Sequence, residues 1–152
     1  MIMSAEARPR ARRRRDTEHR LSHDVDAWVA TASSDGRPYL VPLSFDWDGE
    51  ALLLATPAGS PTGRNLAVGR VVRLALGHTR DVSLIDGDVE ILEIGALPRE
   101  AAERFIARAG FDPRPLTPPC CWFRVIPRRI QVWREVNEMP DRELMRDGRW
   151  LT

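Results

Sequence analysis

From Trp28 to Leu76 the chain is a succession of short apolar runs, each closed by a turn sequence. That spacing admits strands and room for only one short helix. Residues 28–33 (WVATAS) run into Ser-Asp-Gly-Arg-Pro, where Gly36 is free to take a positive φ. Residues 39–47 (YLVPLSFDW) form a second run, followed by the Asp48-Gly49 turn and a third run, residues 51–56 (ALLLAT). Three strands joined by tight turns predict an antiparallel meander. Pro42 removes one ladder donor, so its strand lies at an edge or a bulge, or faces a ligand.

After Thr56 the pattern changes. A loop of small residues leads into Ser60-Pro61-Thr62-Gly63-Arg64-Asn65-Leu66, which reads as a helix start. Ser60 suits the N-cap, Pro61 the first helical position, and Gly69 an end one or two turns later. A strand ending in a hydroxyl residue, a small loop and a helix N-terminus together offer free N–H groups and a positive dipole to an anion. Thr56, Ser60 and Thr62 add hydroxyls, and Arg64 adds a fork matched to phosphate. An ordinary N-capped helix with a solvated arginine fits the same residues equally well. The GxxxxGK[ST] pattern of a Walker loop is absent.

Beyond the helix, residues 71–76 predict a fourth strand and residues 82–94 a fifth, broken at Asp86-Gly87 by either a hairpin turn or a bulge. Ala101, Ala102, Phe105, Ile106 and Ala109 fall at helical spacing, with Gly110 as a stop. Residues 121–134 return to strand alternation, and residues 143–151 add a last strand or cover. A chain of 152 residues suits one domain, here expected over residues 17–152. Six or so strands with two helices predict a mainly β domain, and a closed antiparallel barrel would best satisfy the sheet edges. Residues 1–16, with arginines crowded between Arg8 and Arg15, are expected to form a disordered arm.

Several function classes find no support. All 23 basic side chains are arginines, so no lysine is available for a Schiff base or as a phosphate-binding ammonium. A net charge of +1 gives no general reason to expect nucleic acid, the arginine arm being the one local exception. No apolar run approaches the roughly 20 residues of a membrane helix, and no secretory pattern follows the N-terminal arginines, so a cytoplasmic location is expected. Cys120 and Cys121 are adjacent and point to opposite faces of a strand, which predicts inert thiols rather than a disulfide or a zinc site. The three histidines are scattered, and no Ser/His/Asp set stands out.

The order of these elements resembles the pyridoxamine 5′-phosphate oxidase-like superfamily. Strand, Asp-Gly-Arg-Pro turn, strand with internal proline, strand ending in Thr, small-residue loop into Arg-Asn-Leu, and another apolar strand all follow in sequence. The similarity covers residues 28–93, with weaker support from residues 127–149. It implies a split β-barrel that binds FMN or the deazaflavin coenzyme F-420. It also implies a homodimer with cofactor sites at the interface, and an oxidoreductase acting on a small-molecule substrate. By resemblance, Arg64 and Asn65 match the Arg-Asn of the helix after the phosphate loop, and Thr56 and Ser60 match that loop's hydroxyl contacts. Val41, Pro42 and Ser44 occupy the strand laid against the flavin ring. Thr62 or Gly63 stands where many relatives carry a phosphate-binding lysine. Residues 127–133 echo the family's late strand, whereas residues 142–146 echo its arginine-rich substrate-binding ending only faintly, which argues against pyridoxamine phosphate as substrate. No general acid or base asserts itself, in keeping with chemistry carried by the cofactor. The alternative is a protein of the same barrel that binds a flavin or a haem-like ligand without turnover.

Overall fold

The computed structural model describes residues 6–152. Helix α1 (Arg10–His23) opens the fold, followed by strands β1 (Asp26–Ala32), β2 (Pro38–Ser44), β3 (Asp46–Trp47) and β4 (Leu52–Pro57). Helix α2 (Pro61–Gly69) leads to β5 (Val71–His78) and the long β6 (Asp81–Glu93). Helix α3 (Arg99–Ala109), β7 (Cys120–Trp133), a 3-10 turn (Val136–Asp141) and the hairpin β8 (Glu143–Arg146)–β9 (Arg149–Trp150) complete it.

The strands form one antiparallel sheet in the order β2-β1-β5-β6-β7-β4-β3, with β8 and β9 added beside β7. The fold is mainly β, as expected, but the sheet is not closed: its hydrogen-bonded path ends at β2 and β3. The expected meander also breaks between the second and third runs. Residues 39–47 divide at Phe45, whose side chain is fully buried and whose N–H bonds to the Val25 carbonyl at 2.9 Å. Beyond that point β3 pairs with β4 and β4 with β7, rather than with β2. Burying Phe45 redirects the strand, and this leaves β2 as an edge on which Pro42 omits no needed ladder bond.

The Asp86-Gly87 interruption is a bulge inside one strand, not a hairpin. A Cβ at Gly87 would press against Val125 and the Ile126 carbonyl, so the close crossing of β6 over β7 requires glycine there.

The barrel core is aliphatic, built from Val29, Leu52, Leu54, Leu66, Leu74, Ile85, Val125 and Ile130 with Phe45 and Phe123. A second cluster lies outside the sheet, where α3 covers Leu53, Ala55 and Trp122 with Ala102 and Phe105. The Phe105 and Trp122 rings meet edge to face at 5.1 Å, and the Trp122 indole N–H donates to the Ile94 carbonyl.

The expected disordered arm is corrected over residues 10–16, which belong to α1, while residues 1–5 lie outside the described residues. The arginines there are not all solvated. Arg8 and Arg13 are buried. Arg8 donates through its N–H and guanidinium to Glu138 at 2.8–3.0 Å and pairs with Asp81 and Asp16 at 3.1 Å. Arg13 donates to the carbonyls of Val132 and Asp141 at 3.0 and 2.8 Å. Apart from Asp16, the acids that satisfy this basic cluster lie far along the chain, out of reach of a local reading. From α3, Arg108 caps the other end of α1, donating to the carbonyls of Leu21 and Asp24 at 2.7 Å. No helix among the described residues is long and apolar enough to cross a membrane.

Candidate functional site

Helix α2 sits across one end of the open barrel, anchored by the fully buried Leu66. Ser60 is its N-cap, as expected: its hydroxyl accepts from the Gly63 N–H at 3.0 Å and donates to the Pro57 carbonyl at 2.8 Å. A Cβ at Gly63 would collide with the Pro57 carbonyl, so glycine here lets the loop fold tightly onto the first helical turn. Arg64 is exposed, and one of its guanidinium N–H groups returns to the Gly59 carbonyl at 2.6 Å. The Asn65 side chain donates to the Thr31 hydroxyl at 3.1 Å and ties α2 to β1.

The expected phosphate residues therefore divide in two. Arg64 stays at the surface beside the exposed loop residues Ala58 and Gly59, and Asn65 and Ser60 are half-buried. Thr56 and Thr62 are buried at 6% and 2% exposure, with the Thr56 hydroxyl 3.4 Å from that of Ser60. Thr56 points into the barrel with Leu52 and Leu54, and Thr62 is buried in the first turn of α2. Pro61 has no N–H, the Gly63 N–H is taken by the Ser60 hydroxyl, and the N–H groups of Ala58, Ser60 and Arg64 bond to carbonyls of the loop and its neighbours. An anion at this helix end would therefore meet the Arg64 guanidinium and the Gly59 and Thr62 N–H groups, a donor set that can hold a phosphate without a lysine.

On β2 the alternation of the strand separates the expected ring residues. Val41 packs against the barrel core, whereas Pro42 is exposed on the outer face. The half-buried Ser44 donates to the Asp26 carboxylate at 2.7 Å. Pro42 pairs with Trp28 on β1, and Thr31, the partner of Asn65, pairs with Tyr39. Pro42 thus stands three residues along the strand from the level of Asn65, roughly 10 Å away.

The outer face carries more apolar surface than the sequence suggested. Trp28, Leu40 and Val71 are 51%, 59% and 61% exposed. Trp28 and Leu40 stand on neighbouring strands, with Ala30 between them and Ala75 beyond. Next to them a hollow of about 390 Å³ is lined by Thr31, Ala32, Val72 and Gly87, with Arg73, Asp86 and Arg128 at its rim. Arg73 forms a two-point pair with Asp86 at 2.6 and 2.9 Å, and the bond to that acid raises the guanidinium pKa further. The one local signal for this hollow is the pair of small residues Ala30 and Ala32 on the same face of β1.

The other indoles have separate roles. Trp122 is core, and Trp150 lies under the Arg14 guanidinium at 4.4 Å. Cys120 is buried and Cys121 half-buried; both are free thiols, and burial pushes the Cys120 thiol up. Among the described residues no three His, Cys, Asp or Glu side chains gather to hold a metal ion.

Solved structures share this fold. A protein described as an F420 reductase is 23% identical, with 74% of this chain and 94% of that one aligned at a TM-score of 0.59. The conserved hypothetical protein Rv2991 of Mycobacterium tuberculosis is 20% identical over 81% and 85% of the two chains, at 0.62. HupZ of Group A Streptococcus is 19% identical over 76% and 90%, at 0.60. No curated protein matches the sequence significantly. Residues 20–134 match the family model for pyridoxamine 5′-phosphate oxidase, which spans most of the chain from the second half of α1 to the end of β7. This chain, with its open mainly β barrel and capped α2, belongs to the pyridoxamine 5′-phosphate oxidase-like family.

Proposed function

We propose that this protein is an oxidoreductase that works with FMN or the deazaflavin coenzyme F-420, as a homodimer with the cofactor beside α2 and the outer face of β1 and β2. The observation that carries the reading is the junction at Asn65 and Thr31, which holds a helix N-terminus with an exposed arginine at the end of β1, a strand whose opposite face is exposed and apolar. Membership of the family supports it, as does the likeness to a structure named F420 reductase.

In this reading Arg64 and the Gly59 N–H bind the phosphate, with the Ala58 N–H tied to the Pro119 carbonyl and Ser60 fixing the loop through its two hydrogen bonds. Asn65 keeps α2 in register with β1. Pro42 and Leu40 present an apolar surface on which Pro42 has no N–H to donate, and Ser44 supplies a hydroxyl oriented by Asp26. Trp28 excludes water from that face. The bound cofactor supplies the hydride chemistry, and the chain supplies anchoring, orientation and a dry surface. A second reading, a carrier that binds the cofactor without turnover, draws on Arg64 being partly committed to Gly59. Anaerobic reduction of the loaded protein, followed by a panel of acceptors, separates the two. Reoxidation by an acceptor faster than the free cofactor achieves supports the enzyme; identical rates with and without the protein eliminate it.

A further inference from the structure

The second core, under α3, leaves a pocket of about 240 Å³ on the side of the molecule built from β3, β4 and the start of α3. Its floor is apolar, made by Leu53, Leu92, Leu97 and Ala101, all outside the α2 site. The charged lining is two carboxylates, Asp46 and Asp48, and two guanidiniums, Arg104 and Arg124. Asp46 is unusual. It is only 7% exposed, yet no donor among the described residues reaches its carboxylate within hydrogen-bond range. Its nearest cations are Arg104 Nε at 3.8 Å and Arg108 Nη1 at 3.9 Å. Arg108 is already committed to the carbonyls at the end of α1. The Asp46 carboxylate lines the pocket and is held only by these two long ion pairs, so an ammonium placed in the pocket can bond to it directly.

Arg124 is held as loosely, 3.4 Å from Asp48 and 3.6 Å from Glu90, and Arg104 is more than half exposed. Asp48, by contrast, is saturated on one oxygen by the N–H groups of Glu50 and Ala51 at 2.8 Å. The pocket is therefore balanced in charge but offers one loosely paired acid and two loosely paired guanidiniums above an apolar floor. A net cation or a net anion would leave one set unmatched. A small neutral molecule with both charges and an aliphatic branch matches all three surfaces. The volume lies below the usual range of small-molecule sites, which confines the ligand to a few heavy atoms.

We infer that this pocket binds a free aliphatic α-amino acid, its ammonium on Asp46, its carboxylate on Arg104 and Arg124, and its side chain on Leu53, Leu92 and Leu97. The site is separate from α2 and stands whether or not a flavin binds there.

Calorimetric titration of the full chain with L-leucine tests it, alongside two analogues that each lack one charge. Leucine binds saturably at one site per chain. Affinity falls roughly tenfold or more for 4-methylpentanoate, which lacks the ammonium, and for leucinamide, which lacks the carboxylate. Arg104→Gln, at a largely exposed position, weakens leucine and leaves leucinamide unchanged. Asp46→Asn weakens leucine and leaves 4-methylpentanoate unchanged. Absence of saturable leucine binding up to about 10 mM, a range in which only the weakest specific sites lie, overturns the assignment. Equal affinity for leucine and both analogues overturns it too, as does an Arg104→Gln chain that binds leucine like the parent.

Discussion

Arg64 is the residue on which the phosphate site turns. It is exposed at the first turn of α2, and it bonds its own loop through one N–H only. Arg64→Ala is expected to weaken FMN or F-420 binding by about 1.5–3 kcal/mol, the worth of a hydrogen bond to a charged group. Thr56→Val is expected to leave that affinity nearly unchanged, because the Thr56 hydroxyl is buried against Ser60 rather than presented to solvent. Paired titrations of the two variants check both statements. At this scale the sequence was readable for Ser60 and Pro61, whose capping role depends only on neighbours in the chain. It was silent on which way Thr56, Thr62 and Val41 face. Facing follows from the strand register and from packing under the loop, and both are set by residues far away.

Among the elements, α1 shows most clearly what a local reading misses. Its arginines and the preceding Arg8 repel one another in sequence, and in the fold they are answered by Glu138, Asp81, Asp16 and Asp141. Burial works to raise the Glu138 carboxyl, but the Arg8 guanidinium and the N–H groups of Arg8 and Arg134 outweigh it and hold it at about 2. An acid that titrates near 4.5 when unfolded and about 2 when folded contributes on the order of 3 kcal/mol above pH ~5. The depressed value makes the unfolded chain bind the proton first. The contribution is therefore full above the unfolded pKa and drains away as pH falls from 4.5 towards 2. Glu138→Gln is expected to cost about 3–5 kcal/mol at pH 7, since it strands a buried guanidinium. It also flattens the acid limb of stability between those pH values, which denaturant titrations at several pH values read directly. The strands themselves were legible because Gly- and Pro-bearing turns bound them; the switch at Phe45 was not, because nothing nearby announces where the sheet opens.

For the whole molecule, the open sheet and its outer face matter most. Trp28, Leu40 and Val71 leave apolar surface exposed around an edge strand, an arrangement that single chains generally cover. A second copy packed on this face would cover it, and β2 would then lie at the centre of the assembly. Leu40→Arg is expected to convert a dimer to a monomer in sedimentation equilibrium while leaving the thermal transition of the chain's own core intact. A parent protein that sediments as a monomer at all concentrations refutes the assignment of this face. The mainly β architecture was legible from run lengths alone, and the family from the order of its elements. The hollow between Thr31 and Gly87 was not, because it exists only where β1, β5 and β6 lie side by side. The most direct test of the central claim is an equilibrium titration of the parent protein with FMN and with F-420, followed by absorbance and fluorescence. Saturable binding of at least one of them well below millimolar, competed by inorganic phosphate and weakened in Arg64→Ala, is the expected result. Failure of both to bind below about 1 mM would contradict the account of α2 as the cofactor's anchor.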